Sequence, residues 1–202
     1  MVAIGQDSLA SEPRSCGTCD LCCTVWRVDA LRKPGGVRCQ AQRTDPPGCG
    51  VYETRPSICR RYQCLWLKGG LEEADRPDAM GAVVDLVTTQ GLPFLAIRQL
   101  LPGTYDGSER LQAIGERFRR TLPVRVTHAE DSMDPDRPYR VLLADGVEHR
   151  VEGEWTTVWV RGEQVAACRI PVLERWARRV GHGLRRLRLS WQARRGHRIN
   201  LQ

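Results

Sequence analysis

Cys16-Gly17-Thr18-Cys19-Asp20-Leu21-Cys22-Cys23 places four thiols within eight residues of a 202-residue chain. A Cys-x-x-Cys step turns tightly enough to bring both sulfurs to one side of the backbone, where nearby amides can donate hydrogen bonds to them. The second x-x spacing extends the run to a third sulfur. Cys22 and Cys23 are adjacent and their side chains diverge. The stretch therefore predicts two thiols facing different metal positions, or one ligand beside one supporting thiol.

Working outward, four more cysteines follow at Cys39, Cys49, Cys59 and Cys64, so eight of the nine in the chain fall between residues 16 and 64. Arg14 to Trp66 is rich in cysteine, glycine, proline and arginine and has few periodic apolar residues. This composition predicts loops and short turns organised around something other than a hydrophobic core. Cys16, Cys19, Cys22, Cys23, Cys39, Cys49, Cys59 and Cys64 are the candidate metal ligands. Their number fits one four-iron cluster with spare thiols, two four-coordinate zinc ions, or a dinuclear zinc site with shared ligands. The Cys-x-x-Cys-x-x-Cys run is similar to ferredoxin-type ligation, which favours an iron–sulfur cluster over zinc, although the fourth cysteine is adjacent and not three residues on.

The compartment bears on the same question. No stretch approaches the roughly 18 apolar residues of a membrane-spanning helix, and Met1 to Arg14 lack the charged-then-apolar pattern of a secretory leader. A cytoplasmic address without a transmembrane segment is expected. There, thiols stay reduced and serve as ligands more often than as disulfides.

Two motifs in order, Cys16-x-x-Cys19-x-x-Cys22-Cys23 and Cys49-x-x-Tyr52-x-x-Arg55-Pro56-x-x-Cys59-Arg60-x-Tyr62, resemble the CxxCxxCC cysteine-cluster family, the YkgJ-like zinc- or iron-chelating domain proteins of bacteria. The resemblance covers residues 15 to 66 and implies metal chelation. It also implies kinship with protein-modifying enzymes such as flagellin lysine methylases, which carry this kind of cysteine set with an iron–sulfur cluster. Within the second motif, Pro56 fixes the backbone and biases Arg55 toward an extended conformation. Arg55, Arg60 and Arg61 are placed to offset thiolate charge. Tyr52 and Tyr62 are expected to pack beside the site with their hydroxyls on backbone carbonyls.

From Met80 the texture changes. Ala82 to Thr88 and Pro93 to Ile97 read as buried strands about a turn at Gly91-Leu92-Pro93. Ser108 is a cap for a helix over Glu109 to Leu122, with Leu111, Ile114, Phe118 and Leu122 on one face. Val124 to His128 alternates like a strand. Tyr139 to Ala144 and Val147 to Val151 flank the hairpin signal Asp145-Gly146, and Thr157 to Val160 and Val165 to Ile170 flank Arg161-Gly162-Glu163. Pro171 opens a last helix with apolar residues at Leu173, Trp176, Ala177, Val180, Leu184, Leu187 and Trp191.

The expected fold is α+β: a cysteine-rich metal-binding module packed on a small antiparallel sheet with a few helices. Its parts are a flexible N-terminus (1–14), the cysteine module (15–70), an α+β region continuous with it (71–170) and a basic amphipathic helix (171–202).

The formal charge of +7 is concentrated in that helix. Residues 169 to 202 hold ten arginines (Arg169, Arg175, Arg178, Arg179, Arg185, Arg186, Arg188, Arg194, Arg195 and Arg198) against Glu174, a net +9, which leaves +7 − 9 = −2 for everything before. An acidic partner, whether RNA, an anionic membrane surface or a protein, is thus expected for residues 171–202 alone.

Two functions follow. One is a metal-binding redox or accessory protein, the other a nucleic-acid-binding or scaffold protein with structural zinc. No phosphate loop, dinucleotide fingerprint or nucleophile elbow assigns an enzyme. His128, His149, His182 and His197 are scattered, and Asp20, Glu53 and Asp85 are recommended as bases by location alone. Cys168 reads as a small buried hydrophobe in a strand.

Overall fold

The computed structural model describes residues 14–89, 91–129 and 137–199. The N-terminal segment expected to be flexible lies outside the described residues except for Arg14, as do the last three residues of the basic segment.

The cysteine region contributes short elements: α1 (Leu21–Val25), a 3-10 turn over Asp29–Leu31, the hairpin strands β1 (Gln42–Thr44) and β2 (Pro47–Cys49), and α2 (Ser57–Arg61). A second 3-10 turn (Glu73–Asp75) and α3 (Pro77–Met80) lead into β3 (Ala82–Thr89) and β4 (Leu92–Gln99). Then come α4 (Glu109–Arg119), β5 (Val124–His128), β6 (Tyr139–Leu142), β7 (Val147–Glu152), β8 (Trp155–Val160), β9 (Glu163–Arg169) and α5 (Val172–Ile199).

β3 to β9 form one seven-stranded sheet in sequence order. The hairpins stand where turn chemistry placed them. Asp145 and Gly146 take φ of 57° and 77°, and Arg161 and Gly162 take 51° and 89°. Two successive residues at positive φ give the twist that tight hairpins need. The Ser108 hydroxyl accepts the Leu111 amide at 3.3 Å and starts α4 as expected.

One expectation needs correction. The large sheet is mixed: β4 and β5 run parallel, from Leu95 opposite Val124 to Gln99 opposite His128. Parallel neighbours require a crossover, and α4 supplies it. The small β1–β2 sheet is wholly antiparallel.

Ala82, Val83 and Val84 are all buried, because both faces of β3 are covered. On one face Ala82, Val84, Leu95, Ile97, Val124 and Val126 pack with Leu111 and Ile114 of α4 and with Leu65, Trp66 and Leu71. On the other, Val83 and Ala129 meet Leu21 and Val25 of α1. The cysteine region is therefore built into the sheet at two places. Gly35 lies in the seam: a Cβ there would come within 2.9 Å of the Ala129 carbonyl and 3.3 Å of the Val25 carbonyl.

At the far end of the sheet the described residues are exposed. Every residue of β9 is exposed, and Cys168 with them, so the expected buried hydrophobe is a surface thiol on an edge strand. The apolar stripe of α5 is exposed as well, including Leu173, Trp176 and Leu184. Two arginines of α5 meet the body, with Arg175 Nη1 2.9 Å from Glu154 Oε2 and Arg178 beside Tyr139.

Candidate functional site

A cavity of about 550 Å³ opens between the cysteine region and the sheet, and all eight candidate thiols line it: Cys16, Cys19, Cys22, Cys23, Cys39, Cys49, Cys59 and Cys64. Cys39 is buried and the other seven are half-buried. A second depression, of about 600 Å³, lies by Met80 and Ser108 and gathers no thiol.

Local structure explains the convergence. Gly17 at φ 51° lets the chain turn so that the Cys19 amide donates to the Cys16 carbonyl at 2.8 Å. Leu21 and Val25, one helical turn apart, anchor α1 in the core and leave Cys22 and Cys23 on its other sides. The Gln42 side chain fastens this helix to β1: its Nε2 donates to Asp20 Oδ2 at 2.7 Å, and its Oε1 accepts from the Thr24 hydroxyl at 3.3 Å. In the hairpin Gln42 faces Cys49 across the ladder, and its amide donates to the Cys39 carbonyl. Pro56 precedes α2 in an extended conformation and its carbonyl accepts the Cys59 amide at 2.9 Å. The Leu65 amide donates to the Val84 carbonyl at 2.9 Å and fixes Cys64 against β3.

Burial pushes the Cys16, Cys59 and Cys64 thiols up, and Cys19 to about 11. A hydrogen bond between Cys22 and Cys23 raises the pKa of the first and lowers that of the second. Several cations face the group, Lys33, Arg55 and Arg60 among them. Arg55 is among the charges felt by Cys16, Cys23 and Cys59, and its guanidinium stacks 3.7 Å above the Tyr52 ring. Lys33 is buried, with its ammonium donating to the Thr24, Trp26 and Pro34 carbonyls. Burial lowers its pKa, against the pull of Cys39, Cys23, Cys22 and Cys59.

The donor set fits a thiophilic metal: soft ligands, half-buried, with cations to offset their charge. Among the described residues no three His, Cys, Asp or Glu side chains close on a point that could hold one ion. The eight cysteines line one cavity.

A polar group adjoins the thiols. Trp26 and Tyr62 pack edge to face at 5.1 Å, and Arg98 lies 4.1 Å over the Trp26 ring. Trp26 Nε1, the Tyr62 hydroxyl, Asp85 Oδ1 and Arg98 Nη1 are buried without a hydrogen-bond partner. The expected carbonyl partner for the Tyr62 hydroxyl is thus absent. Burial raises the Asp85 carboxyl, opposed by Lys68 and Arg98, and raises the Tyr62 phenol.

Of the other residues singled out from the sequence, Arg55, Arg60, Tyr52, Tyr62 and Asp85 line the cavity. Asp20 serves the Gln42 clamp, while Arg61, Glu53, His128 and His149 are not among the lining residues. The side chains of His182 and His197, and of Arg185, Arg186, Arg188, Arg194, Arg195 and Arg198, lie outside the described residues. Sequence reasoning missed Lys33, Trp26 and Arg98. The available signal was that Lys33 is one of two lysines in a chain with 29 arginines.

No family model, curated protein or solved structure matches this chain.

Proposed function

We propose that residues 16 to 64 form a metal-binding module whose cysteine thiolates hold an iron–sulfur cluster or zinc, and that the protein acts as a redox or accessory component. The single observation behind this reading is that eight cysteines line one cavity, with Lys33 and Arg55 beside them. A cluster accepts one thiolate per iron, so its ligands sit apart at the corners of a larger body, an arrangement suited to sulfurs that surround a space. When bound, a cluster supplies one-electron redox chemistry and zinc supplies a fixed crosslink between loops. The chain's own residues bring the eight cysteines to one cavity, with Lys33 and Arg55 beside them to balance their charge.

The test is anaerobic purification followed by measurement of iron, zinc and acid-labile sulfide per chain with the visible spectrum. Iron and sulfide in matching amounts with a brown chromophore support the cluster. Colourless protein with zinc moves the assignment to a structural centre, and protein without metal overturns the reading.

The second reading, a nucleic-acid-binding or scaffold protein with structural zinc, has its own observation: arginines and an exposed apolar stripe share α5, including Trp176. It predicts RNA or DNA binding that weakens steeply with salt and is lost when residues 171–202 are removed. Among the described residues no helix is long and apolar enough to cross a membrane.

A further inference from the structure

We propose that Trp26, Tyr62 and Asp85, in the wall of the cysteine cavity, bind a small hydroxycarboxylate, with Arg98 against the indole as its balancing charge. The site goes beyond the metal-binding reading: it uses no thiol and does not depend on which metal the cysteines take.

The two aromatic residues arrive from the cysteine region. Trp26 ends α1 and Tyr62 ends α2, each with an extended backbone, ψ being 142° and 129°. Each amide still donates back into its helix, to the Cys22 and Ile58 carbonyls at 3.1 Å. The rings meet edge to face with centroids 5.1 Å apart. The two charged residues arrive from the sheet. Asp85 on β3 faces Ala96 on β4, and Arg98 on β4 faces Val83 on β3. Cross-strand partners share a face and side chains alternate along a strand, so Asp85 and Arg98 stand on the face that carries Val83 toward α1. The Arg98 guanidinium lies 4.1 Å over the Trp26 ring and joins the two halves.

The bonds these residues leave unmade define the guest. Asp85 and Arg98 are only 7% and 9% exposed. Trp26 Nε1, the Tyr62 hydroxyl, Asp85 Oδ1 and Arg98 Nη1 are all buried without a hydrogen-bond partner. Proteins rarely leave buried polar atoms unpaired, because each gives up its hydration with no return. Four in one group point to a molecule that completes them, and Trp26, Tyr62 and Asp85 open on the cavity of about 550 Å³ through which it would enter.

Trp26, Tyr62 and Arg98 offer donors, whereas Asp85 offers an acceptor. Lys68 Nζ lies 3.8 Å from Asp85 Oδ1, an ion pair too long for a hydrogen bond. Arg98 and Lys68 thus set two positive charges beside one carboxylate. The surplus of donors and of positive charge selects an anion with acceptor oxygens, and the open acceptor selects a hydroxyl on the same molecule. A guest carboxylate on the Trp26 indole N–H and the Tyr62 hydroxyl, with its own hydroxyl donating to Asp85, uses each group in the sense in which it stands open. An amine fits poorly, since only Asp85 would accept from it and Arg98 would repel it.

Equilibrium dialysis with labelled glycolate tests the assignment on anaerobically purified protein, with metal per chain measured on the same samples so that the two readings are judged separately. Saturable binding of one glycolate per chain is expected. Acetate, which lacks the hydroxyl, should compete more weakly, and ethylene glycol, which lacks the carboxylate, should not compete. Tyr62→Phe and Arg98→Met should each weaken glycolate by at least about tenfold. Asp85→Leu should abolish the advantage of glycolate over acetate. Arg120→Met removes the same charge from an exposed position and should change nothing. Absence of saturable binding overturns the proposal, as does methylammonium competing as well as glycolate. Equal weakening by Arg98→Met and Arg120→Met also overturns it, since general attraction to a basic chain would then suffice. Glycolate held by the metal itself would be indifferent to Tyr62→Phe and Asp85→Leu, and that result too would sink the site. If Arg98→Met does not fold, Tyr62→Phe, which removes a single oxygen atom, decides.

Discussion

The cysteine region and the sheet behind it are held by different forces. In the sheet, Leu95, Ile97, Leu111 and Val124 are fully or almost fully buried, and each strand gains from the next through a continuous ladder. Between Arg14 and Cys64 the buried apolar side chains are few, chiefly Leu21, Val25 and Val28, and the polar clamp at Gln42 does much of the positioning. A chain segment with so little apolar burial needs another source of order, which the metal of the proposed module would supply. The two regions should therefore fail separately, the one when its metal leaves and the other when its core is cut.

Metal removal should give the largest effect. A structural thiolate-bound ion contributes on the order of 10 kcal/mol to the folding of a small module. Chelation under anaerobic conditions is expected to abolish hydrogen-exchange protection around residues 16–64 while amides of β4 and β5 stay protected; equal loss in both regions would erase the contrast. Next in size is the reverse experiment. Leu95→Ala removes a side chain with no exposed surface, and a loss of about 2–5 kcal/mol is expected from denaturant unfolding with the metal content per chain unchanged. Gly35→Ala strikes the seam, because its Cβ would press on the Ala129 and Val25 carbonyls. It is expected to cost about 1–3 kcal/mol and, unlike the Leu95 variant, to loosen metal retention as well. The smallest effect is Ser108→Ala, which deletes one helix cap and should lower the unfolding free energy by about 1 kcal/mol with no change at the thiols.

Much of the sheet was legible because its signals are local. Asp145-Gly146 and Arg161-Gly162 mark hairpins through backbone geometry, and Ser108 marks a helix start through one hydrogen bond. The parallel pairing of β4 with β5 was missed because the apolar pattern of Pro93 to Ile97 and Val124 to Val126 is the same whichever way the strands run. The intervening helix was the sign of a crossover. Cys168 was misjudged for a related reason: residue type states a preference for burial, but position at a sheet edge decides it.

At the site, the eight cysteines that line the cavity were readable from spacing. Lys33 was not, since its burial depends on carbonyls of Thr24, Trp26 and Pro34 that fold around it. Asp85 reaches the cavity from β3, and Arg98 on β4 lies over the ring of the lining residue Trp26, long-range placements that no local pattern announces.

Thiol counting tests the central claim most directly. Seven of the eight cavity thiols are only half-buried and Cys168 is exposed, so burial alone would not protect the set from alkylation. Anaerobic protein carrying its metal is treated with iodoacetamide without denaturant, and modified positions are read by mass spectrometry before and after chelation. The account predicts modification of Cys168 alone at first and of the other eight once metal is withdrawn. Rapid modification of the eight at the same rate before and after chelation would contradict it.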